Sequence, residues 1–178
     1  EKFYISGHPF YKTRPKELKF GFENILVLSK SPNGASPLEK PMLEDRGNAI
    51  VYLMMIQNVL EKIGIKHVSF RPHPSESMQW YFKYIDKSFF IPGGGDFINV
   101  IQNSSLVIGP ISTSLIDVMA NGLNYVIFEP VTKNKGIYGH EITPPLNGSD
   151  SRIPIARNED DLLNILESKE GIDISTFY

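Results

Sequence analysis

The chain contains no cysteine, which excludes a disulfide framework and the common thiolate metal sites and fits a reducing compartment. An excess of charge of either sign is also missing. With 18 basic and 20 acidic residues the net charge is −2, too weak a field to mark nucleic acid or an anionic membrane as a partner, so any anion must be bound locally. No apolar run approaches a membrane span, and Glu1 to Phe10 lack the basic start and long apolar stretch of a signal peptide; the expectation is a soluble chain. Four scattered histidines, with no H-E-x-x-H spacing, give no metal site, so none is assigned to His8 or His67. There is no internal repeat. What is present is 178 residues with 41% hydrophobic and 11% aromatic content, enough for one sizeable core and one domain. The chain starts without methionine inside Phe3-Tyr4-Ile5-Ser6-Gly7, which reads as an excised domain.

Short apolar runs alternate with helical patterns. Ile25 to Ser29, His67 to Arg71, Ser88 to Ile91, Ser105 to Gly109 and Asn124 to Phe128 are short, β-branched or aromatic, and bounded by Gly, Pro or Asn, as buried strands are. Helices are predicted over Asp45 to Ile63 (closed by Gly64), Glu76 to Ile85, Asp96 to Gln102, Thr113 to Ala120 and Asp160 to Ser168. This alternation predicts an α/β, Rossmann-like parallel sheet of five or six strands with helices on both faces. Residues 1–23 read as a linker or the remnant of a preceding domain, 24–170 as the Rossmann-like domain and 171–178 as a tail. With the strand order 3-2-1-4-5, the switch point lies between the first and fourth strands, where such sheets bind ligands.

Two motifs fall at that edge. Arg71-Pro72-His73-Pro74 follows the second strand, and Ser112-Thr113-Ser114 follows the fourth; both sit where strand ends meet helix starts, the place where phosphate binds. Prolines on both sides of His73 restrict its loop, so an imidazole N–H is offered to a phosphate oxygen at little ordering cost. Against this stands a histidine that merely caps a turn. Arg71 either anchors the loop, reaches a phosphate or forms a solvated salt bridge. Ser112 and Thr113 bring hydroxyls and backbone amides at a helix start, or simply cap it; Ser114 and Asp117 have the spacing of a capping box. Gly93-Gly94-Gly95-Asp96 lacks the spacing of a phosphate loop and reads as a turn with Asp96 as helix cap, or as a place for backbone to approach a base or ribose. Ser31, Asn33 and Gly34, after the first strand, belong to a long Pro/Gly/Ser-rich stretch from Ser31 to Arg46, a lid over the crevice or the contact surface of a missing domain. Thr132 to Ile155 is a second irregular stretch; its Tyr138, His140 and Glu141 face sugar or acceptor, or only solvent. Glu44-Asp45 is read as a helix start whose acids favour the dipole.

Arg-x-His-Pro after a strand, then Ser112-Thr113-Ser114-Leu115-Ile116-Asp117 leading into Leu123-Asn124-Tyr125-Val126-Ile127-Phe128, resembles the nucleotide-binding half of GT-B transferases that use CMP- or CDP-activated donors. These include bacterial sialyltransferases and polysialyltransferases, capsule Kdo transferases and CDP-glycerol glycerophosphotransferases. The resemblance covers residues 24 to 130. Asn124 stands where those families commonly have proline, and the Pro-Thr-Trp-Arg stretch of the glycerophosphotransferases is absent after the first strand, which favours a sugar donor.

The resemblance implies a C-terminal-type GT-B domain in surface polysaccharide or lipooligosaccharide synthesis, with His73 catalytic and Arg71, Pro74, Ser112, Thr113, Ser114, Ser31, Asn33, Gly34 and Gly94 around the donor. No cofactor or metal is expected. The partners implied are a CMP-sugar, a glycan or lipid-linked acceptor and a missing N-terminal Rossmann domain carrying the base, with no nucleic acid. The location implied is cytoplasmic, the full-length protein being held peripherally at the inner face of the membrane. Two other readings remain open: an enzyme like UDP-N-acetylglucosamine 2-epimerase, and a non-catalytic nucleotide-sugar-binding module.

Overall fold

The computed structural model describes residues 15–29, 43–132, 135–136 and 148–177. Five short strands, β1 (Ile25–Leu28), β2 (Val68–Arg71), β3 (Phe90–Pro92), β4 (Leu106–Gly109) and β5 (Tyr125–Phe128), alternate with α1 (Leu43–Lys62), α2 (Met78–Tyr81), α3 (Phe97–Gln102) and α4 (Ser114–Ala120). A small antiparallel pair, β6 (Val131–Thr132) and β7 (Lys135–Gly136), precedes β8 (Ile155–Ala156) and α5 (Glu159–Ser168). The main sheet has six strands, all parallel, in the order β3-β2-β1-β4-β5-β8. The protein therefore has an α/β Rossmann-like fold.

Alternate residues along each strand point to opposite faces, and the two faces have separate cores. Ile25, Val27, Phe70, Ile108, Val126 and Phe128 pack under α1 and α5, with Tyr52 stacked on Phe128 at 5.4 Å between ring centroids. Leu26, Leu28, Val107, Tyr125 and Ile127 pack instead against Ile101 of α3 and Leu115, Val118 and Met119 of α4. Both faces are covered, so β1, β4 and β5 are buried at every position. Pro92 is tolerated because β3 is the edge strand.

Helix ends follow local chemistry. Gly64, at φ +85°, ends α1: its N–H reaches Glu61 O at 3.0 Å and the Ile65 N–H reaches Leu60 O at 3.0 Å, the paired bonds of a Schellman cap. Asn158 caps α5 by accepting the Asp161 N–H at 2.9 Å, and Glu159, Asp160 and Asp161 place negative charge on its first turn. The predicted helix over Glu76 to Ile85 is shorter than expected: Ser77 caps α2, which starts at Met78, and Glu76 stays outside it. The two-residue strand β8 lies at the end of the stretch expected to be irregular, too short to show a period.

Residues 18–22 and 171–173 lie against the body of the domain. Lys19 pairs with Leu123 and accepts the Asn124 N–H at 2.9 Å, while Asn124 Oδ1 accepts the Ile172 N–H at 3.0 Å. Proline at 124 would lack both the N–H and the side-chain acceptor, so the departure from the resembled pattern has a structural use here.

Candidate functional site at the carboxyl edge of the sheet

β1 lies between β2 and β4, with Leu28 opposite Arg71 and Val27 opposite Ile108. The loops after β2 and β4 therefore flank the end of β1, two strand spacings or roughly 10 Å apart. On the β2 side the loop hangs on one carboxylate. Glu76 Oε2 accepts the Ser29 hydroxyl at 2.5 Å and the His73 N–H at 3.0 Å, and Glu76 Oε1 accepts the Tyr81 hydroxyl at 2.6 Å. The His73 N–H also reaches Ser29 Oγ at 3.1 Å, and the Glu76 N–H closes the turn on His73 O at 2.8 Å. Tyr81 is buried, which together with the Glu76 charge raises its hydroxyl pKa far above the ordinary 10.0.

The His73 ring is exposed, and its Nδ1 is turned to its own loop, 3.2 Å from the Ser75 amide nitrogen and 2.9 Å from Ser75 Oγ. An amide N–H can only donate, so in this contact Nδ1 is the acceptor and the ring proton sits on Nε2. Nε2 makes no hydrogen bond among the described residues and is the ring nitrogen a ligand can use.

On the β4 side the loop is held by buried groups. A Cβ at Gly109 would land on the Tyr125 hydroxyl, so glycine lets that ring cross the end of β4. The hydroxyl donates to Pro110 O at 2.7 Å, and the Glu129 carboxylate, with the residue 2% exposed, accepts the Ile111 N–H at 3.0 Å. Burial raises the Tyr125 hydroxyl pKa; the Ser112 hydroxyl beside it pulls the other way, and the Glu129 charge adds to the rise. Thr113 is exposed and occupies the cap position of α4 with helical backbone, φ −63° and ψ −21°, and its side chain makes no cap bond. The expected capping box on Ser114 is not formed, because Ser114 is already the first helical residue and the extended backbone that a capping hydroxyl needs is missing. The amides of Thr113 and Ser114 make no hydrogen bond among the described residues.

Arg71 points along the edge to the β3 loop. Its Nη1 donates to Gly95 O at 2.7 Å and Gly93 O at 3.3 Å, and the guanidinium lies 5.4 Å from the centre of the Phe97 ring. Of the roles open to it in the sequence, it takes that of loop anchor; no ion pair to it occurs among the described residues. Gly95 sits at φ +97°, and Asp96 caps α3 by accepting the Ile98 and Asn99 N–H groups at 3.1 and 3.3 Å, so the triglycine segment is the turn expected. Gly94 is exposed, with nothing within 4 Å of where a Cβ would stand. Pro74 is exposed beside His73.

His73, Pro74, Ser112, Thr113 and Ser114 therefore share the carboxyl edge at the switch point. Ser31, Asn33 and Gly34, and also Tyr138, His140 and Glu141, lie outside the described residues. Sequence reasoning missed the residues that organise the edge: Ser29, Glu76, Tyr81, Tyr125 and Glu129. One available signal was a glutamate three residues after His73; another was Glu129 directly after an all-apolar strand, where a carboxylate must find donors. Among the described residues no group of three or more His, Cys, Asp or Glu side chains could hold a metal ion, and no helix is long and apolar enough to cross a membrane. No family model, curated protein or solved structure matches the chain.

Proposed function

We propose that this chain is the donor-nucleotide-binding domain of a glycosyltransferase that uses a CMP-activated sugar, sialyltransferase-like, in surface polysaccharide or lipooligosaccharide synthesis. The observation that carries the reading is the placement of the His73 loop and the Thr113–Ser114 amides on either side of the end of β1, each loop held by a carboxylate behind it. A phosphate between them would take the Nε2–H of His73 from one side and the hydroxyl of Thr113 with the Thr113 and Ser114 amides from the other. As the bond to the sugar breaks, charge grows on the phosphate of departing CMP, and donors already in place stabilise it without reorganising. In this proposal Arg71 serves the donor indirectly by shaping the Gly93–Gly95 loop, and Gly94 leaves room there for ribose or base. The base that deprotonates the acceptor hydroxyl would lie in a partner domain, with a glycan or lipid-linked acceptor held between the two at the membrane's inner face.

Amide spectra of the 15N-labelled protein, titrated separately with CMP and UDP, test this. CMP should bind weakly, because a cleft wall is contributed from elsewhere, and should move the resonances of His73, Thr113 and Ser114. Tighter binding of UDP would favour the epimerase-like reading. Movement confined to residues away from this edge would refute the donor site.

A further inference from the structure

We propose that Glu76 is a positioning residue for His73: it fixes the turn that holds Nδ1 on the Ser75 N–H and presents the Nε2–H at the carboxyl edge. The proposal rests on the phosphate-binding reading of His73 for its purpose, though not for its geometry. Three donors from three parts of the chain converge on this one side chain, the Ser29 hydroxyl at the end of β1, the His73 N–H in the loop and the Tyr81 hydroxyl of α2. A carboxylate offers about four acceptor sites and no donor, so it can take all three at once. A glutamine of the same shape would present an NH2 where one of the carboxylate oxygens now accepts.

The link to the imidazole runs through the turn. Glu76 grips His73 twice, by its carboxylate on the His73 N–H and by its own N–H on His73 O. Inside that closed turn the Ser75 N–H is aimed at Nδ1. If the grip is released, the Ser75 N–H leaves Nδ1 and the ring relaxes to the mixture of tautomers and orientations of a free histidine. The Nε2–H then spends less time facing the ligand, and affinity falls by the fraction lost.

The test combines ring nitrogen spectra with a binding cycle on the full chain. In the wild type, 15N resonances of the His73 ring, recorded at a pH where the ring carries one proton, should be widely separated, as in one fixed tautomer; in Glu76→Gln they should draw together. With CMP as the probe, Glu76→Gln should weaken binding about tenfold in the wild type and have no further effect in His73→Ala. Equal losses in both backgrounds, or His73 ring resonances unchanged by Glu76→Gln, would overturn the proposal. If the wild type binds no CMP, the donor-site reading fails while the ring spectra still decide the role of Glu76. Should Glu76→Gln not fold, Ser29→Ala removes one anchor of the same turn and should shift the ring resonances in the same direction; no shift would count against the proposal.

Discussion

The loop after β2 and the loop after β4 meet at one edge but are held by different means. The first depends on polar groups gathered on a half-buried carboxylate, and its histidine stands in solvent. The second is fixed by a buried tyrosine that fits only over glycine and by a glutamate sealed from water. Polar anchors within reach of water can be lost singly, since water replaces part of each bond. A ring wedged into a packed edge cannot shift without moving the strands. The β4 loop is therefore anchored in the core at its start, whereas the β2 loop hangs on polar bonds nearer the surface.

The largest effect should come from breaking the β4 side sterically. Gly109→Ala places a methyl on the Tyr125 hydroxyl and should destabilise the fold by about 1–3 kcal/mol or more, measured by urea unfolding. Tyr125→Phe should come next, at about 1–3 kcal/mol, because Pro110 O loses its donor in a buried place. On the β2 side Tyr81→Phe should cost less, about 1 kcal/mol, since Glu76 retains the Ser29 and His73 donors. Equal losses for the two tyrosine variants would erase the contrast between the loops.

Alkaline pH sharpens the same comparison. Tyr81 and Tyr125 both have hydroxyl pKa values raised above the ordinary 10.0, by burial first in each case. Below that value both are protonated whether folded or unfolded; above it only the unfolded chain ionises, so the folded state loses stability as pH rises. Urea midpoints between pH 9 and 11 should fall above pH 10, and less steeply in either tyrosine-to-phenylalanine variant. A pH-independent midpoint would contradict the burial of these hydroxyls.

The strand order and the switch point were legible because four-residue apolar runs bounded by Gly, Pro and Asn leave little choice of element, and right-handed crossovers limit topology. Both motif positions followed from that order. The supporting groups were not legible, because their roles come from contacts across the sheet. Ser29 meets Glu76 across 47 residues and Glu129 meets Ile111 across 18, with no local pattern to signal either. The Ser114–Asp117 spacing misled for the opposite reason: the local pattern fits a capping box, but the backbone placed Ser114 inside the helix. Arg71 could not be assigned from sequence, since its partners are carbonyls of another loop.

The measurement closest to the central claim is the binding of CMP and of cytidine to wild type and His73→Ala, by calorimetry or amide spectra. His73 is exposed, so its replacement should leave folding nearly intact. The variant should lose about 1–3 kcal/mol of CMP binding while cytidine, which has no phosphate, binds both proteins alike. Equal CMP affinity in the two proteins, or a parallel loss for cytidine, would contradict a phosphate contact at His73.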